Sequence, residues 1–137
     1  MTRILLVGAD APLLEGLAQS LAALGHTPMV AATLHDGREM AAQNPPLIAV
    51  VSRALAADGS SELLGIPLAG GGALLLYRIV GSPVISLPPG LQRAVLADLT
   101  LPLERNRLVA LVHHVRDRVK TTGRSGRNSD PTRRLEL

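Results

Sequence analysis

Short runs of consecutive apolar residues, each closed by Gly, Ser or Pro, constrain this chain most. Ile4-Leu5-Leu6-Val7 stops at Gly8, Leu47-Ile48-Ala49-Val50-Val51 stops at Ser52, and Val84-Ile85-Ser86-Leu87 stops at Pro88-Pro89-Gly90. Runs of this length without polar alternation read as strands buried on both faces, the pattern of a parallel sheet covered by helices. Asp98-Leu99-Thr100-Leu101, ahead of Pro102, predicts a further short strand. Met29-Val30-Ala31 predicts a weaker second one.

Helical stripes separate the runs. Leu14, Leu17, Ala18, Leu21 and Leu24 recur at three and four, after a Pro12 that suits a first turn and before a Gly25 that suits a left-handed cap. Thr33 with Asp36 three residues on resembles a capping box, opening a helix to about Gln43 that Asn44-Pro45-Pro46 breaks. Residues 53–72 contain Asp58-Gly59-Ser60-Ser61 and Gly70-Gly71-Gly72 and read as a long loop. Residues 73–80 read as a short helix stopped by Gly81-Ser82-Pro83, and residues 91–97 as two helical turns. Pro102 opens a last helix with the stripe Leu108, Leu111, Val112, Val115 and Val119. Its Glu104 and its Arg116, Arg118 and Lys120 stand at the ends the helix dipole favours.

Strands alternating with helices imply an α/β domain with a parallel sheet. Five such units fit a flavodoxin-like, doubly wound, five-stranded sheet of order 2-1-3-4-5, with its functional crevice at the carboxyl ends of the strands. Residues 1–119 are the expected domain, and residues 120–137, rich in Gly, Ser, Asn and Arg, the expected disordered basic tail.

Composition narrows the chemistry. The chain has 137 residues, 47% of them apolar, with one Tyr (Tyr77) and no Phe, Trp or Cys. That excludes a wholly disordered chain, a disulfide framework, a thiolate metal site and a cysteine nucleophile. A chain without disulfides suits a reducing cytoplasm. The start has no signal-peptide pattern, and no apolar stretch reaches the ~18 residues a membrane helix needs. The formal net charge is +3, and all of it comes from the tail: up to Val119 the charges cancel, and beyond it Lys120, Arg124, Arg127, Arg133 and Arg134 face only Asp130 and Glu136. A basic tail on a neutral fold argues against a nucleic-acid-binding surface.

The layout of Ile4-Leu5-Leu6-Val7, Pro12-Leu13-Leu14-Glu15-Gly16-Leu17, Pro46-Leu47-Ile48-Ala49-Val50-Val51, Gly72 to Ile79, Pro83-Val84-Ile85 and Leu101-Pro102-Leu103 resembles a response-regulator receiver domain, from Thr2 to about Val119. The family has an acidic pair after its first strand, a phospho-accepting Asp after its third, a Ser or Thr after its fourth and a Lys before a Pro after its fifth. Clustered carboxylates hold magnesium through oxygen ligands. The metal and the lysine stabilise the transferring phosphoryl group. Here the acidic-pair positions read Gly8 and Ala9, with Asp10 one place on. The acceptor position reads Ser52, the hydroxyl position Pro88, with Ser86 nearby, and the lysine position Leu101, with Pro102 kept. The resemblance thus implies a degenerate receiver, or pseudo-receiver: no enzyme, binding no metal or cofactor, and unable to take phosphate on an aspartate. It would be a cytoplasmic protein-interaction module in a two-component-type pathway.

The spacing also implies a fourth helix shortened or lost. That remodels the surface through which receivers often meet partners; the expected assembly is a homodimer through the last helix, or, if that helix buries Leu108, Leu111 and Val115 on the sheet, through residues 91–103. The alternative function is a small-molecule sensor or small enzyme using the strand-end crevice, lidded by residues 53–72. Val7-Gly8-Ala9-Asp10 lacks the spaced glycines of a dinucleotide site, and Gly70-Gly71-Gly72 lacks the lysine of a phosphate loop. Ser52 would need a base from His26, His35, His113 or His114. His26 should lie at the opposite end of the sheet. Asp10 is expected as a helix N-cap, and Asp58 and Glu62 as solvated loop residues.

Overall fold

A computed structural model of the chain describes residues 2–58, 63–81, 87 and 89–128. Five strands, β1 (Arg3–Val7), β2 (Thr27–Ala31), β3 (Ile48–Ser52), β4 (Ala73–Ile79) and β5 (Val95–Leu101), form one parallel sheet of order β2-β1-β3-β4-β5. The helices are α1 (Ala11–Ala23), α2 (Leu34–Gln43), α3 (Arg53–Asp58), α4 (Pro89–Ala94) and α5 (Arg105–Asn128). The doubly wound topology is the one expected, and the fourth helix is a six-residue stub.

Two apolar layers sandwich the sheet. Leu14, Leu17 and Leu21 of α1 and Leu108, Val112 and Val115 of α5 cover Ile4, Leu6, Val50, Leu75 and Tyr77 on one face. Leu34 and Ala41 of α2, Ala56 of α3 and Leu91 of α4 cover Leu5, Val7, Val51, Leu74 and Leu76 on the other. The alternation of Ile4 and Leu6 against Leu5 and Val7 is the period-two signature of a strand buried on both sides.

The local signals at α1 and α2 act as their chemistry dictates. After Leu24, Gly25 takes φ +91°. The Gly25 amide donates to the Ala22 carbonyl and the His26 amide to the Leu21 carbonyl, a Schellman closure of α1. Thr33 caps α2, its hydroxyl accepting from the Asp36 amide at 3.1 Å.

The fourth strand differs from the sequence reading. Residues 73–80, expected as a helix, contain β4, which pairs with β3 from Ile48↔Ala73 to Ser52↔Tyr77. An Ala-Leu-Leu-Leu-Tyr run carries no period that separates buried strand from buried helix, and its Leu content favours helix locally. Burial of its first five residues, on both faces, decides for strand. Residues 84–86 of the strand expected at 84–87 lie outside the described residues, as does Pro88.

The expected loop at 53–72 begins as α3; Glu62 and the Asp58 side chain lie outside the described residues. Beyond them, the Ala69 amide donates to the Pro46 carbonyl and the Ala73 amide to the Leu47 carbonyl. The chain there has reached the amino-terminal end of the sheet, away from the crevice it was expected to cover. Helix α5 continues past Val119 to Asn128, so the boundary drawn after Val119 falls inside a helix. Extending an existing helix costs far less than starting one. Residues 129–137 of the expected tail lie outside the described residues.

Candidate functional site

Parallel strands bring Gly8, Ser52 and the end of β4 side by side at one rim, because β1, β3 and β4 are consecutive in the sheet. At the first two strand ends the side chains are small. The third supplies the only Phe, Tyr or Trp of the chain, Tyr77, which is 1% exposed. Tyr77 stands directly across from Ser52 in the strand register. Its hydroxyl donates to Asp10 Oδ2 at 3.2 Å and is also hydrogen-bonded to the Ser52 side chain.

The ring fills the room beside the small residues Gly8 and Ser52. A Cβ built on Gly8 would collide with Tyr77 Oη, with Tyr77 Cζ next at 3.1 Å and Leu14 Cδ1 at 3.4 Å. Gly8 is therefore required by the phenol above it. Burial raises the Tyr77 pKa, reinforced by the negative Asp10 beside it and the hydrogen bond to that carboxylate; the Ser52 hydrogen bond opposes the rise. The phenol stays protonated at any physiological pH and acts as a fixed donor.

Asp10 occupies the N-cap position of α1, yet its side chain makes no capping bond; it accepts from Tyr77 instead. The expected capping role is thus corrected: the nearby phenol competes for the same oxygens. Ala9 is exposed. Leu101 is fully buried in the layer of α1 and α5, and its peptide to Pro102 is cis. The expected hydroxyl position at Pro88 rested on a fourth strand at 84–87. Because β4 ends at Ile79, the corresponding rim is made by Tyr77 and Arg78.

Next to Ser52, Arg53 reaches past β4 to an ion pair with Asp98 on β5. Glu104, just ahead of α5, accepts from the Thr100 amide at 2.6 Å and pairs with Arg107 at 3.2 Å. The Thr100 hydrogen bond, then Arg107, holds the Glu104 carboxyl below its usual pKa.

No histidine is recorded as a partner of Ser52. His26 and His113 meet each other, Nε2 to Nε2 at 3.2 Å, and the His26 amide sits beside the start of β2, at the far end of the sheet. His35 pairs with Glu39 on the exposed face of α2, and His114 is exposed. Among the described residues no group of three His, Asp or Glu side chains is placed to hold a metal ion. Among the described side chains, Asp10 is the one carboxylate shown hydrogen-bonded to Tyr77. Magnesium is bound through one or two carboxylates plus phosphate and water, so a lone, hydrogen-bonded carboxylate under a phenol is a poor fit for it.

Tyr77 was missed by sequence reasoning because its run was read as a helix. The available signal was the only large aromatic, placed after four small or aliphatic residues, with Gly8 and Ser52 closing two other runs.

Solved structures with the same architecture span nearly the whole chain. One is a CheY-like response regulator receiver domain protein from Methanospirillum hungatei, 21% identical, covering 88% of this chain and 98% of its own, with a TM-score of 0.69. The fold is that of a receiver domain. A two-component response regulator from Clostridium difficile, 18% identical, covers 87% of this chain and 98% of its own, with a TM-score of 0.71. The receiver domain of a Luxo repressor protein from Vibrio parahaemolyticus, 21% identical, covers 89% and 95%, with a TM-score of 0.68. No protein-family model matches the sequence, and no curated protein matches it. At these identities the likeness is one of fold. Among the described residues no helix is long and apolar enough to cross a membrane.

Proposed function

We propose that this receiver-fold domain is a protein-interaction module for signalling that works without aspartyl phosphorylation. The observation that carries this reading is Tyr77. Its buried ring lies over Gly8, and its hydroxyl is tied to Asp10 and Ser52. A serine hydroxyl cannot form the acyl phosphate that an aspartate forms. A phosphoryl group and its metal would also have to displace a buried side chain. Gly8, Ala9, Ser52 and Leu101 stand, in this reading, at degenerate chemical positions, with Asp10 the remaining acid; the fourth position passes from Pro88 to the end of β4, at Tyr77 and Arg78.

Partner contact is assigned to the remodelled edge. The six-residue α4 runs without a break into β5, whose outer edge has no neighbouring strand among the described residues. Leu96 on β5 is 44% exposed, and Leu103, in the turn after the strand, 76% exposed. A second copy of the chain or a signalling protein would cover these side chains.

The test incubates the full chain with acetyl phosphate and magnesium and records intact mass, alongside a receiver that takes phosphate under the same conditions. The mass should not change; a labile phosphate adduct would overturn the reading. The alternative, a crevice-based sensor or enzyme, draws no support from residues 63–72, which lead to the opposite end of the sheet.

A further inference from the structure

A second cavity, of about 350 Å³, opens at the amino-terminal end of the sheet. Its polar lining comes from Thr2, Arg3, His26 and Arg116, on three separate parts of the chain. Thr2 and His26 are the two buried polar residues among those described, at 4% and 6% exposed, and both line this one cavity. Buried polar side chains ordinarily meet partners. His26 meets only His113, and among the described residues the Thr2 hydroxyl meets none.

Two guanidinium groups stand with them. Arg3 Nη1 donates to the Pro45 carbonyl at 3.2 Å, and Arg116 Nε to its exposed neighbour Asp117 at 3.1 Å. Each bond uses one N–H of a five-donor fork, leaving the rest for an anion. Two cationic side chains repel a metal ion and attract oxyanions. Arginine forks with a hydroxyl and an imidazole donor offer more hydrogen bonds than a carboxylate accepts, and suit the oxygens of a phosphate.

We propose that this cavity is a binding site for a phosphate-type oxyanion, held by Arg3 and Arg116 over Thr2 and His26. The anion can arrive free or as the phosphate of a small metabolite. The proposal stands apart from the Tyr77 crevice and does not depend on the signalling reading.

The test is calorimetric titration of the full chain at physiological salt, once with inorganic phosphate and once with glycerol phosphate. Saturable one-site binding is expected for at least one, and tighter binding of glycerol phosphate would assign the site to a metabolite. Arg116→Gln should weaken binding about tenfold or more, as expected for loss of a charge-assisted fork. Arg3→Gln, a second exposed site, should do the same, with unchanged circular dichroism. Arg133→Gln/Arg134→Gln should bind as the parent does. Non-saturating uptake, equal binding by the Arg116 and Arg3 variants, or loss of binding in the tail variant would overturn the proposal.

Discussion

Gly8 and Tyr77 should be energetically coupled, with a sign that their geometry fixes. Gly8→Ala places a methyl group where Tyr77 Oη lies, on backbone that cannot retreat because the Gly8 amide is held by the Ala31 carbonyl at 3.0 Å. Overpacking of this kind costs about 1–3 kcal/mol, and a direct collision belongs near 2. Tyr77→Phe removes a hydrogen bond to a carboxylate, a loss of about 1.5 kcal/mol because the half-exposed Asp10 rehydrates. In the Tyr77→Phe background the new methyl meets the ring carbon at 3.1 Å instead of the oxygen, a contact that small shifts relieve. Gly8→Ala should then cost about 1 kcal/mol less than in the parent, a coupling well above the ~0.3–0.5 kcal/mol expected between independent sites. Urea unfolding of the parent, both single variants and the double variant measures it. Circular dichroism is the probe, because Tyr77 is the only Tyr or Trp chromophore and two of the four proteins lack it. Equal cost of Gly8→Ala in both backgrounds would refute the account of a phenol seated on a glycine.

Other expectations concern charge and backbone. The Tyr77 pKa is raised in the folded chain, so its contribution to stability is intact below the ordinary pKa near 10 and declines as pH rises past it. Absorbance of the single tyrosine should show ionisation only together with alkaline unfolding; reversible titration near pH 10 in the folded chain would contradict its burial. His26 is shifted the opposite way, downward, by burial first and then by His113 and Arg116. Its unfolded form takes a proton near pH 6.5 and its folded form only at lower pH, so stability should fall as pH drops below about 6.5. His26→Gln should flatten that slope in urea titrations, and an unchanged slope would place the acid sensitivity elsewhere. Gly25→Ala, at φ +91°, should lose about 1 kcal/mol, whereas Gly16→Ala, in the middle of α1 with open space around it, should gain up to about 1 kcal/mol. Thermal melts giving both the same sign would defeat that contrast.

The sheet was legible where apolar runs ended in a distinct stop. Val7 before Gly8 and Val51 before Ser52 gave two neighbouring strands, and the stripe of α1 with its Gly25 closure gave the first crossover. From these, handedness and strand order follow. What escaped was the part where local preference and tertiary burial disagree. Residues 73–77 favour a helix taken alone, and only the covering layers on both sides make them a central strand. The same misreading hid the principal feature of the crevice. With residues 73–80 as a helix, Tyr77 has no strand end to occupy, and the rim reads as empty. With them as β4, the register sets Tyr77 against Ser52, and the empty rim becomes a filled one. Chemical positions on β1 and β3 were readable because small residues stand at clean strand ends; the position on β4 depended on pairing, which no single segment encodes.

The phenol resting on Gly8 also imposes an order on mutation. An acid introduced at Gly8 while the ring is in place must collide with it, so that step alone is penalised. Removing the ring first opens a void and strands Asp10 and Ser52 without their donor and acceptor. Whichever of the two changes comes first destabilises the fold, so sequences that carry this pair should change the two positions together or keep both.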